Sequence, residues 1–335
     1  MARYFPGLNG LRVYAAFSVI GFHAGPGLLK PFLLDGRDAV TLFFVLSGFL
    51  ITYILLNEQG STGTINLRRF YWRRTLRIFP VYYVGYLFGT VLVPLAFGHS
   101  TFPPIALFGL ATFTTNLFPF ELGFGAMWHY WSLGVEEQFY LFWSPLLKRF
   151  NVIPVIIGVF VVKLALFFLV TDPHGQVVLD NTRFECMAIG GLAAWMVYTR
   201  HSALQLIYSR VFQWTAVAII GLFAVVDQSI AGWVFSVPAA ILIVNVATNP
   251  KALLVRVLEW RPLRTLGDWT YSAYIYHYPL QFALKSVVPS AYMLPVLAIS
   301  AFAFAGLSYR WFEKPLLGLK DYSPKPPILP RVDAP

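Results

Sequence analysis

Residues 39–57, AVTLFFVLSGFLITYILLN, run for 19 positions without a charged side chain. As a helix at 1.5 Å per residue they would extend about 28 Å, close to the roughly 30 Å hydrocarbon core of a bilayer. The run is continuous in its apolar character, whereas a membrane β-strand would be short and alternating. Runs of the same kind recur at 10–29, 80–98, 131–147, 153–171, 184–199, 212–227, 231–248, 270–289 and 292–312. Together they predict an all-α, polytopic transmembrane helical bundle of about ten spans. Composition agrees: of 335 residues, 58% are hydrophobic and 12% charged, about half the charged share of a soluble domain.

Charge placement orients the bundle. With a cytoplasmic N-terminus, 20 of the 25 Lys and Arg residues fall on the inner side, and Lys30, Arg37, Lys163, Arg183 and Lys285 fall elsewhere. Residues 104–118, PIALFGLATFTTNLF, form an ambiguous eleventh stretch opened by Pro103 and Pro104. Counting it as a span would move the later basic loops outside, against the positive-inside rule, so it reads as re-entrant or superficial. Both termini are then cytoplasmic, in a multi-pass protein of the cell membrane. Residues 1–317 form one integral membrane domain, and 318–335, ending SPKPPILPRVDAP, read as a disordered Pro-rich cytoplasmic tail. The N-terminal apolar run reads as a retained first span and not as a cleaved signal. The net charge of +10 describes a basic inner face suited to anionic lipid or phosphate, not to nucleic acid. The single cysteine, Cys186, supports neither an internal disulfide nor a Cys-cluster metal site. No other metal-binding run is present.

Ionisable side chains inside a membrane are costly, so each is a functional hypothesis by default. Arg12 and His23 are 11 residues apart in the first span, about three turns, on one face and ~16 Å apart along the axis. They cannot touch. Arg12 sits where it could hold something anionic near the inner surface; the bland alternative is a topogenic or snorkelling charge. His23, further out, could act as a general base on an acceptor hydroxyl; its bland alternative is a packing histidine on a backbone carbonyl. Ser47 and Gly48 lie mid-span and read as small residues for close helix packing, with no chemistry assigned to Ser47.

In NLRRFYWRRTLRIFP, Arg69, Arg73 and Arg77 recur every four residues among aromatics, predicting a short interfacial helix with Pro80 opening the next span. Guanidinium forks grip phosphate oxygens, so a phosphorylated donor such as coenzyme A suits this cluster, which can equally be topogenic. In WHYWSLGVEEQFY, Glu136 and Glu137 point about 100° apart, and Ser132, Glu136 and Tyr140 share a stripe. Glu136, expected at the depth of His23, could orient that histidine. In GDWTYSAYIYHYPL, Tyr274, His277 and Gln281 share a face; His277 is either a second positioning group or a structural hydrogen-bonding residue. Arg183 with Glu185, and Glu313 with Lys314, read as ion pairs or helix-end anchors. Cys186 reads as a buried small hydrophobe, and Lys163 has no evident role.

Taken in order, FPGLNGLRVYAAFSVIGFH, FFVLSGFLI, RRFYWRRTLRIFPVYY, WSLGVEEQFY, TYSAYIYHYPL and YRWFEKPL resemble the family-3 membrane acyltransferases over nearly the whole chain. The resemblance implies a ten-helix domain that takes an acyl group, usually acetyl, from acyl-coenzyme A and passes it to a glycan or lipid-linked saccharide. It maps the family's arginine and histidine onto Arg12 and His23, its arginine motif onto Arg73, Arg74 and Arg77, and its acidic motif onto Glu136 and Glu137. Asn9 stands where Asp is frequent, and Tyr276 where Trp is common. Many relatives carry an appended extracytoplasmic domain; this chain ends after its last span and tail, so either the membrane domain suffices or a separate extracytoplasmic transferase completes the reaction. Two rivals are acylation of a small molecule or antibiotic by the same kind of enzyme, and a proton-coupled transporter with His23, Glu136 and His277 as a relay. Against the transporter, the sequence shows no inverted repeat.

Overall fold

A computed structural model describes residues 4–25, 29–98, 102–118, 122–225, 232–249 and 253–322. No strand occurs among them, and each of the ten expected segments overlaps a helix. The principal helices are α1 (Leu8–Ala24), α2 (Gly36–Thr62), α3 (Leu67–Leu87), α4 (Pro104–Ala111), α5 (Tyr130–Arg149), α6 (Val152–Leu169), α7 (Pro173–Asn181), α8 (Phe184–Thr199), α9 (Arg210–Val225), α10 (Gly232–Thr248), α11 (Arg261–Leu284) and α12 (Ser290–Ser308). Four continuous helical stretches are long and apolar enough to cross a membrane: Gly36–Thr62, Leu67–Phe97, Val152–Leu169 and Ser290–Lys320. α5 and α11 are also long but more polar, because they carry much of the chemistry described below.

The expected break at Pro80 does not occur. Asn66 caps α3, its side chain accepting from Arg69 N at 3.0 Å, and the helix runs through Pro80 to Leu87, then through a π-helical turn at Phe88–Leu92 to Phe97. A proline removes one i→i−4 bond, a loss tolerated where the helix is held by its neighbours. The basic segment and the third span are thus one helical stretch, which places the half-buried Arg74 and the exposed Arg77 on the lining of a cavity described below. α4 has eight residues, about 12 Å, too short to cross a bilayer. Of the expected tail, Gly318–Tyr322 forms a 3-10 turn, with Trp72 Nε1 donating to the Leu319 carbonyl at 3.4 Å; residues 323–335 lie outside the described residues.

Helix directions follow from paired contacts. Near the start of α1, Asn9 Nδ2 donates to Asp268 Oδ1 of α11 at 3.1 Å, and near the end of both, His23 meets His277, so α1 and α11 are parallel. α2 and α8 are parallel too, since Thr41 meets Arg183 near their starts and Tyr53 meets Tyr198 further along. Between α2 and α5, Ser47 meets Glu136 and Thr52 meets Trp143, again a parallel pair. α3 and α5 are antiparallel: Tyr71 bonds the Leu141 carbonyl, and Tyr130 bonds the Tyr82 carbonyl.

The closest of these crossings is made by glycine. A methyl group added to Gly48 would overlap the Met187 carbonyl, and one added to Gly190 would overlap the Val45 carbonyl. Each helix offers a glycine to the other's backbone, the small-residue contact that lets helices approach where lipid supplies no hydrophobic drive. Ser47, next to Gly48, is thereby held at a fixed height in the bundle.

Candidate active site

Two groups of polar residues lie along α1 and α11. The first lines a small, partly open cavity of about 90 Å³. α1 contributes Arg12 from its second turn, α2 contributes Ser47, and α3 contributes Arg74 and Arg77, which share a face at i, i+3. α5 contributes the expected stripe of Ser132, Glu136 and Tyr140, and α11 contributes Thr270, Tyr271 and Tyr274. The Ser47 hydroxyl donates to the Glu136 carboxylate. The Arg74 guanidinium lies 4.8 Å from the centre of the Tyr140 ring, a cation–π distance. Arg12 donates to Asn9 Oδ1 at 3.4 Å. Three guanidiniums therefore share the lining with one carboxylate, and Glu137, Asp268 and Glu313 lie near enough to act on Arg74 or Arg77. Guanidiniums grouped in this way suit an anion.

The second group is built around histidines. His23 Nδ1 is 2.9 Å from His277 Nε2, and His277 Nδ1 is 2.5 Å from the Tyr274 carbonyl. The Tyr278 ring packs 4.4 Å from the His23 ring. His129 packs edge-on against His277 with centroids 4.9 Å apart, and its Nε2 lies 3.1 Å from the Ile275 carbonyl, which fixes the proton on Nε2. His129 Nδ1 is buried without a hydrogen-bond partner. The Gln281 side-chain amide donates to the His23 carbonyl, tying the last turn of α1 to α11. Tyr274 joins the two groups: its hydroxyl, in the cavity wall, bonds Ser132 Oγ at 2.6 Å and the His129 carbonyl at 3.0 Å, while its own carbonyl receives His277.

Residues 5–309 match the family model described as an acyltransferase domain. The chain belongs to the family-3 acyltransferases. Members of this family transfer acyl groups other than amino-acyl groups. The chain is 30% identical over 355 residues to YrhL of Bacillus subtilis (strain 168), whose name assigns it to peptidoglycan O-acetylation, with 94% of this chain and 55% of YrhL covered. It is 28% identical to the O-acetyltransferase OatA of Staphylococcus aureus (strain NCTC 8325 / PS 47), with 94% and 57% covered. It thus spans rather more than half the length of these curated relatives. No solved structure matches it.

Within this acyltransferase fold, the residues singled out in the sequence separate differently from expectation. Arg12, Arg74, Arg77, Ser132, Glu136 and Tyr140 do come together. Arg73 lies outside the cavity lining, and so do the exposed Arg68 and Arg69. The inward face of α3 is set by the 74/77 spacing, not by the 69/73/77 stripe. Glu136 does not orient His23: it lies among the arginines beside Ser47, because α5 reaches that depth next to Arg12. The partner of His23 is His277. Glu137 stands off the stripe, with Oε1 buried and lacking a hydrogen-bond partner.

Sequence reasoning assigns no chemical role to two residues of these groups, Ser47 and His129. Ser47 serves packing by position and Glu136 by its hydroxyl, and a hydroxyl inside an apolar span was the available signal. His129, two residues ahead of Trp131 in WHYW, was hidden by an aromatic stretch that reads as an interfacial belt. Lys163 gains an account: its ammonium bonds the Leu179 and Thr182 carbonyls at the end of α7 and lies 3.5 Å from Glu185. Arg183 instead reaches Thr41 Oγ1 at 2.6 Å and the Arg37 carbonyl at 3.0 Å. Glu313 accepts from Ser272 at 2.6 Å.

Proposed function

We propose that this chain transfers an acyl group, in the first instance acetyl, from acyl-coenzyme A to a hydroxyl of a glycan. The observation that carries the reading is the pairing of an arginine-rich cavity with the His23–His277 pair along the same two helices. Arg12, Arg74 and Arg77 would hold the coenzyme A phosphates, since guanidinium is the side chain best matched to phosphate oxygens. The thioester would extend past Tyr274 toward His23. His23 would take the proton from the acceptor hydroxyl as its oxygen attacks the thioester carbonyl. The carbon–sulfur bond then breaks, the thiolate leaves, and the histidine proton goes to it, giving the ester and free coenzyme A. Glu136, bonded to Ser47, would keep Arg12 and Arg74 in place.

The same reading includes ten spans with both termini in the cytoplasm and the cavity toward the inner side. Helix directions support it: the first and ninth expected spans are parallel, as are the second, fourth and sixth, and the third and fourth are antiparallel. An alternating ten-span chain requires that pattern. The relatives' names make peptidoglycan the first acceptor to try.

The test is purified protein in proteoliposomes supplied with radiolabelled acetyl-coenzyme A and defined glycans, peptidoglycan fragments first. Coenzyme A release that depends on acceptor, with label appearing in the glycan as an ester, is the expected result. Absence of release with every glycan, in protein shown to be folded, would refute it.

A further inference from the structure

The hydrogen-bond chemistry of the histidine pair decides which nitrogen of His23 is free. A backbone carbonyl can only accept, so the Tyr274 carbonyl, 2.5 Å from His277 Nδ1, fixes a proton on Nδ1. His277 is fully buried, and its hydrogen-bond partners are backbone carbonyls of its own helix and His23, none of them a carboxylate. An imidazolium there would be an uncompensated buried charge. The ring is therefore neutral, with one N–H already committed and Nε2 bare. That bare nitrogen lies 2.9 Å from His23 Nδ1 and can only accept, so His23 Nδ1 must be the donor. The lone pair of His23 is left on Nε2.

We propose that His277 is a positioning residue that locks His23 in the Nδ1–H tautomer and so presents Nε2 as the base. The tautomer follows from the geometry alone; the role of Nε2 rests on the acyl-transfer reading. Three neighbours hold the arrangement. Gln281 pins the His23 carbonyl, Tyr278 packs against the face of the His23 ring, and His129 packs edge-on against His277 with its own proton on the Ile275 carbonyl. The chain of commitments runs from a backbone carbonyl through two rings and ends at one free nitrogen. Holding a base in its productive tautomer is a recognised task for the partner of a catalytic histidine, and the wrong tautomer can cost up to roughly 10⁴-fold in turnover.

The test is nitrogen NMR of full-length protein labelled with ¹⁵N-histidine in nanodiscs, with His23 assigned by the loss of its signals in His23→Gln. In the wild type the spectrum should show protonated Nδ1 and bare Nε2 at His23; a protonated Nε2 with bare Nδ1 would overturn the proposal without any variant of His277. His277→Ala should convert His23 to a mixture of tautomers and lower kcat by about 10²-fold with little change in KM for acetyl-coenzyme A. His277→Gln, whose side-chain oxygen can still accept from Nδ1–H, should keep the tautomer and recover most of the lost kcat. If the wild type shows the Nδ1–H tautomer but releases no coenzyme A, the acyl-transfer reading fails and the tautomer assignment stands. If His277→Ala leaves His23 entirely in the Nδ1–H form at full kcat, the positioning role fails while transfer stands.

Discussion

The two ends of α1 are built on opposite plans. Around Arg12 the bundle leaves a small, partly open cavity, lined by three guanidiniums and a carboxylate. Around His23 rings pack against one another, and His23 Nδ1 and both His277 ring nitrogens have protein partners. On the proposed reading, the arginine-lined end receives the anionic donor. A packed pair of rings is made to be ready before anything arrives, since preorganised groups need no rearrangement during reaction. The contrast separates binding from chemistry, and variants can test the separation.

The largest effect should come from the packed end. His23→Ala is expected to lower kcat by about 10²- to 10⁴-fold while leaving KM for acetyl-coenzyme A nearly unchanged, measured by steady-state release of coenzyme A. A matching rise in KM would erase the division. Next comes the hollow end. Arg74→Ala or Arg77→Ala should raise KM for acetyl-coenzyme A by about 10- to 100-fold, as expected for losing hydrogen bonds to a charged group, with a smaller effect on kcat. Lysine at either position should restore only part of the loss. Acetyl-pantetheine, which lacks the nucleotide phosphates, should be insensitive to Arg77→Ala, and equal sensitivity would dissociate these arginines from the phosphates.

Smaller effects should fall between and beyond the two ends. Gly48→Ala forces a methyl against the Met187 carbonyl and should destabilise the protein by about 1–3 kcal/mol, read as a lower Tm in detergent. An unchanged Tm would mean that α2 and α8 are not held at this crossing. The smallest is the double replacement Lys163→Met with Glu185→Gln. This pair belongs to neither end, so transfer should stay within about twofold of wild type. A large loss would extend the functional region to the α6–α8 side of the bundle.

The helices were readable because apolar run length is a property of the chain alone. So were Arg12 and His23, since an ionisable residue in an apolar run is conspicuous wherever it folds. The lining face of α3 is not a local property: Pro80 reads as a boundary in the sequence, and only packing against α5 shows which arginines line the cavity. Glu136 was assigned to His23 from depth along the membrane normal, but depth does not fix lateral position, and the bundle puts Ser47 and Arg12 beside it. The His23–His277 contact had the same obstacle. Each histidine was visible on its own helix, yet nothing local links residues 254 positions apart.

That separation governs when the molecule can begin to work. Chains synthesised from the N-terminus deliver Arg12, Ser47, Arg74, Arg77 and Glu136 well before α11 is made. Yet Tyr274, which walls the cavity, and His277, which sets His23, both arrive on α11. Contacts this distant in sequence form late, so a partly made chain gathers the charges but not the chemistry. On the proposed reading, activity waits for the docking of one late helix alongside the first.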